Sequence, residues 1–205
     1  MWAEGRPTPP FCPSCWRQAM NTAPTVMTCA AIVLWLMAPP ASAEEPADFS
    51  PYVGADGSIS LPEGFRSWRY LGTWSVAGDD SEGGASGFHN VYTEPKTVDF
   101  YRDTGAFPDG AVIVKELFVA ATEDMTTGRV SHAQEVEGWF VMIKDTKGRF
   151  PDHSLWGDGW GWALFYADDP SATVTEDYEV DCLGCHVPAE TTDWIYVYGY
   201  PDLRE

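Results

Sequence analysis

The order of apolar and polar positions along the chain predicts strands far more often than helices. Residues 68–77, 87–93, 111–121, 130–144 and 160–167 are rich in Val, Ile, Phe, Tyr and Trp. Clusters of Gly, Asp and Pro bound them, which is the composition of strands between turns. Helical periodicity is mostly missing. The exception is 95–103, where Pro95 at the first position and Gly105 past the last predict a short helix. Residues 78–87 and 150–159 read as loops, the second from Pro151 and two glycines. The fold class expected is mainly β (α+β): an antiparallel sheet of about five strands with a few short helices.

The beginning of the chain departs from this pattern. An apolar run over 26–37, broken only by Thr28 and Cys29, precedes Ala41-Ser42-Ala43. Such a run ending in a small-residue triplet is the form of a secretory signal, with cleavage expected before Glu44. The run is too short for a comfortable membrane span. Residues 1–19 sit oddly ahead of a signal, so translation is expected to start at Met20. The organisation expected is a leader over 1–43, a flexible mature N-terminus over 44–64 and one folded domain over 65–205. Export places the mature chain in the periplasm, with no membrane span after cleavage.

Charge narrows the partners. The chain carries 12 basic and 31 acidic residues, a formal net charge of −19. Only Arg6, Arg17 and Glu4 lie in the leader, so nearly all of that charge stays in the mature protein. An acidic surface of this size argues against nucleic acid and anionic membranes, and favours a basic partner.

The five cysteines are Cys12, Cys15, Cys29, Cys182 and Cys185. The first three fall in the leader. The two that remain stand in Cys182-Leu183-Gly184-Cys185-His186. Cys-x-x-Cys-His is the attachment signature of a c-type haem. Two thiols three positions apart can each form a thioether to a haem vinyl group, and the adjacent histidine then lies under the iron as its proximal ligand. A disulfide scaffold is a poor account of an exported chain with only these two cysteines. One covalently attached haem c is therefore expected, on a short helical turn. Small electron-transfer cytochromes are mostly helical with the motif near the N-terminus, so this β-rich chain fits that class poorly.

Further stretches carry a resemblance. They are His89-Asn90-Val91-Tyr92-Thr93-Glu94-Pro95, then the run from Phe107-Pro108-Asp109-Gly110 to Val114-Lys115-Glu116, then Trp160-Gly161-Trp162, and the motif with Asp181 before it and Val187-Pro188-Ala189 after it. Together they resemble the cytochrome P-460 family over roughly 65–203. The resemblance implies an exported, β-rich, mono-haem protein, often a homodimer, that oxidises hydroxylamine alone or together with nitric oxide. It also implies a lysine bonded through its side-chain nitrogen to a haem meso carbon, and by position that lysine is Lys115. Alternation along a strand reaches the same residue independently, because it puts Lys115 on one face with Ala111, Ile113, Leu117 and Val119. A lysine on an apolar face is costly unless neutralised, paired or used. The other reading has it snorkelling to the sheet edge or pairing with an acid such as Glu116.

Hydroxylamine oxidation releases protons, and relatives with this activity carry a carboxylate shortly before the haem motif. Glu176, Asp177, Glu179 and Asp181 are the candidates, with Asp177 preferred and Glu176 next. His89, His132 and His153 are potential distal ligands that read more readily as structural or exposed, and Met125 and Met142 read as core or loop. Gas-binding relatives of that family line the distal face with bulky phenylalanines; Phe65, Phe88, Phe100, Phe107 and Phe118 are available for that role, and most of them read as core. Two alternatives to the enzyme stand beside it. One is a binder of nitric oxide or carbon monoxide like the beta-class cytochromes c-prime; the other is a periplasmic electron carrier. A c-type cytochrome is the electron acceptor expected for an enzyme of this kind.

Overall fold

The computed structural model describes residues 49–78 and 83–204. The expected leader lies outside the described residues. No helix among those described is long and apolar enough to cross a membrane.

A six-stranded antiparallel sheet runs β1 (Arg69–Ala77), β2 (Ala85–Thr93), β3 (Val112–Met125), β4 (Gly128–Lys144), β6 (Trp160–Tyr166) and β5 (Trp156–Gly157) across its width. The five longer strands coincide with the five predicted from pattern. The sixth is a two-residue strand inside the stretch read as a loop. It exists because Asp158 and Gly159 both take left-handed φ, of 54° and 80°, and so turn the chain back between Gly157 and Trp160. The helix α1 (Pro95–Thr104) also forms where predicted, with Gly105 closing it at φ 73°.

The central strands are covered on both sides, and each side owns a separate core. Ile113, Met142, Trp160 and Trp162 project to one face. There they meet Val98 of α1 and residues of the C-terminal segment, among them Cys182, Ile195 and Tyr200. Val112, Val114, Val141, Ile143 and Phe165 project to the other. Successive residues therefore alternate between cores, the period-2 signature of a sheet buried on both faces.

The second face is closed by the segment 49–64, which was expected to be flexible. It packs instead. Val53 and Ile59 are buried beside Phe150 and Trp156 and bridge each other. The Trp156 indole donates to the Gly57 carbonyl at 2.7 Å. The acidic, proline-bearing composition around 44–51 hid the apolar pair that docks this turn. Past Val119 and Gly138, ladder pairing with β2 and β6 ends and β3 and β4 continue paired only with each other.

Candidate functional site

Two rows of side chains on the first face form the floor of a cavity. Register sets Val91, Lys115 and Phe140 abreast on β2, β3 and β4. One pleat away it sets Ile113, Met142 and Trp162 abreast on β3, β4 and β6. The expected face partners of Lys115 are only partly right. Ala111 and Ile113 lie in this core, but register shifts around Phe118 break the alternation, and Val119 emerges exposed.

The roof is the helical stretch that carries the motif. A π-helical segment Glu179–Leu183 runs directly into the α-helical turn α2 (Gly184–His186). Three residues apart on a helix, Cys182 and Cys185 fall on one side. Both thiols are free, Cys182 buried and Cys185 exposed. These two cysteines, His186 and Lys115 all line one cavity of about 160 Å³, with the floor residues and with Ile195, Tyr196 and Tyr200.

His186 is held firmly. Its Nδ1 lies 2.7 Å from the Trp194 carbonyl, which must accept, so Nδ1 carries the proton and Nε2 keeps a free lone pair. Burial pushes its pKa down, the bond to Trp194 pulls it back, and the charge of Lys115 lowers it again. The carbonyl it uses comes from a strained turn, in which Asp193 and Trp194 have φ of 57° and 66°. Lys144 pins that turn by donating to Asp193 Oδ1 at 2.6 Å. Trp160 pins it too, its indole N–H reaching the Asp193 carbonyl at 3.1 Å.

Lys115 has no carboxylate within ion-pair distance among the described residues. Its Nζ lies 4.3 Å from the centroid of the Phe140 ring. Burial pushes its pKa down, against an opposing pull from Cys185 and Cys182. The alternative reading, a pairing with Glu116, is not realised. Glu116 points to the opposite face, where Arg66 and the Trp139 indole bind it.

The acids before the motif separate. Asp181 lines the cavity. Its Oδ2 accepts from the backbone N–H of Glu176 at 2.9 Å and of Asp177 at 3.3 Å. Asp177, the preferred candidate from sequence, lines a different cavity and accepts from the Glu179 N–H. Glu176 is exposed and touches this site only through its backbone. Asp181 is itself exposed, and the local backbone turn, which sequence spacing does not reveal, decides that it and not Asp177 borders this cavity.

None of the other described histidines lines this cavity. His89 is partly buried, its pKa pushed down by burial and then by Lys115. His132 pairs with Glu123 on the exposed ribbon, and His153 Nδ1 accepts from the Leu155 N–H. Of the named methionines, Met142 is core and Met125 is exposed. Phe107 belongs to the core on the cavity side, Phe65 to the opposite core, and Phe100 is exposed. The phenylalanine that does line the cavity, Phe140, was not singled out. Alternation along β4 with Met142 was the signal that could have found it.

The donor set fits a haem. Two unpaired thiols and an imidazole with a free Nε2 open into one mostly apolar cavity, whose one lysine has no carboxylate partner among the described residues.

A family model described as Cytochrome P460 matches residues 62–197, from the start of the sheet domain into the C-terminal segment. No curated protein matches the chain.

Proposed function

The chain belongs to the cytochrome P460 family, a family of haem cytochromes, and on that premise we propose that it is an exported mono-haem c-type cytochrome that oxidises hydroxylamine, with or without nitric oxide. The observation that carries this reading is Lys115, a partly buried lysine without a carboxylate partner, on the floor of the cavity that the haem motif roofs.

Cys182 and Cys185 would hold the haem through thioethers, and His186 would give Nε2 to the iron. The haem, when bound, would supply the redox chemistry that takes electrons from hydroxylamine. Burial favours the neutral amine of Lys115, the form able to bond to carbon. Phe140, Ile113 and Met142 give the cavity an apolar lining around the lysine. Asp181 is the proton acceptor we favour over Asp177 and Glu176, because it lines the cavity while two backbone N–H groups orient its carboxylate. A periplasmic location, a homodimer and a c-type cytochrome acceptor belong to the same proposal.

A second reading, binding of nitric oxide or carbon monoxide without turnover, draws on the apolar lining and on an Asp181 carboxylate already engaged by two donors. The absorption spectrum of the ferrous protein, made in a host that matures c-type haem, separates the two. A broadened, strongly red-shifted main band that changes on adding hydroxylamine is expected for the enzyme. An ordinary high-spin c-type spectrum, inert to hydroxylamine and shifted by nitric oxide, would replace the enzyme by the gas binder.

A further inference from the structure

His186 is the first of three aromatic rings in contact. Trp162 meets it edge-on, with centroids 4.9 Å apart at 78°. Tyr178 then stacks nearly parallel on Trp162, at 6.1 Å and 17°. Trp162 is fully buried. Tyr178 is partly exposed, with its hydroxyl 3.2 Å from Asp158 Oδ2 and 3.5 Å from Glu179 Oε1. The chain of rings thus leads from the proximal ligand through the core to a second cavity, of about 510 Å³.

The arrangement depends on particular residues. Gly157 leaves the room that Tyr178 fills, since a Cβ there would stand 2.0 Å from the Tyr178 hydroxyl. The Trp162 indole donates to the Gly157 carbonyl at 3.1 Å, so one short strand seats both rings. The turn that closes that strand carries Asp158 to the rim.

The second cavity has a marked chemistry. Asp152, Asp158, Asp177 and Glu179 line it, and no lysine or arginine does among the described residues. Asp145 also lines it but is neutralised by Arg149. Beside Glu179, Val180 stands 79% exposed, an apolar contact next to an acidic rim. Complementary charge steers encounter, and an apolar centre inside a charged rim is common where proteins meet.

Resting on the haem reading above, we propose that Trp162 and Tyr178 carry electrons away from the proximal side of the haem, and that a basic one-electron acceptor protein docks over the second cavity. One electron passes from ferrous haem iron to the acceptor's ferric iron. No bond forms or breaks, and both rings end as they began.

The test uses the holoprotein and a basic mitochondrial cytochrome c as probe. Haem content and spectrum are read first for every variant, because a protein without haem c would refute the function proposed above rather than this route. Tyr178→Leu is expected to slow oxidation of the ferrous protein by the probe several-fold, while ferricyanide, a small anion repelled by the acidic rim, reacts as before. Tyr178→Phe keeps the ring and is expected to match the parent. Asp158→Asn combined with Glu179→Gln is expected to slow the probe by about tenfold at low salt and to flatten the salt dependence. Zero-length carbodiimide cross-linking with peptide mapping needs no turnover, and is expected to join probe lysines to Asp158 or Glu179. An unchanged rate in a haem-loaded Tyr178→Leu protein overturns the route. Cross-links confined to other acids overturn the docking site, and they decide the matter if Tyr178→Leu fails to load haem.

Discussion

Lys115 and Glu116 are neighbours on β3, face opposite sides of the sheet, and are treated in opposite ways. Glu116 is almost wholly enclosed, yet Arg66 and Trp139 satisfy its carboxylate. Lys115 is given only the face of Phe140. The protein therefore can pair a buried charge one residue away and does not pair this one. Desolvation without a counter-ion depresses an amine's pKa and leaves it nucleophilic, which is useful in a site and wasteful in a core. The two faces also differ in what covers their central strands. The Glu116 side closes over aliphatic and aromatic side chains and the docked segment 49–64, whereas the Lys115 side leaves a cavity ringed by thiols, imidazole and amine.

That contrast can be broken from either side. The largest effect is expected from Phe165→Ala, which opens a void in the closed core and should cost about 3–5 kcal/mol in denaturant unfolding, with the haem spectrum of the folded protein unchanged. Arg66→Met leaves the enclosed Glu116 carboxylate with a single neutral donor. It is expected to lose about 2 kcal/mol, less than for a fully buried pair because Arg66 is itself more than half exposed.

Acid should act on the same side through Asp109. Its bonds to Arg149 and Thr146 bring its pKa down from 3.8 to about 2, with Arg149 the larger cause. A depressed carboxylate stabilises above its unfolded pKa and loses that contribution as pH falls through its folded one. About 1–2 kcal/mol should therefore disappear between pH 4 and pH 2, after discounting for partial exposure. Asp109→Asn should remove that step from a pH series of unfolding midpoints.

The smallest effect on stability is expected from Lys115→Met, within about 1 kcal/mol of the parent, because a similar apolar volume replaces an amine that has no carboxylate partner. Its effect on the haem spectrum should be the largest of the four. A loss of several kcal/mol with an unaltered spectrum would make Lys115 a structural residue and erase the contrast.

Much of this was legible in the chain itself. Strand composition between Gly, Asp and Pro clusters located five strands, and Pro95 with Gly105 bracketed the helix. Cys182, Cys185 and His186 announced themselves by spacing alone, and alternation pointed to Lys115. What escaped depended on geometry over longer distances. The turn 49–64 folds because Val53 and Ile59 find Phe150 and Trp156 about a hundred residues away, a pairing no local pattern encodes. Asp181 rather than Asp177 faces the cavity because of a single turn of backbone. The second ring nitrogen of an iron-ligating histidine is expected to be held by a backbone carbonyl or a carboxylate, and the turn at Asp193 and Trp194 decides that it is the Trp194 carbonyl.

The account turns on whether Lys115 is bonded to the haem. Protease digestion of the mature holoprotein and mass mapping of the haem-bearing peptides tests this most directly. We predict one haem joining the peptide with Cys182 and Cys185 to the peptide with Lys115. Haem found on the cysteine peptide alone, with Lys115 recovered unmodified, would contradict it.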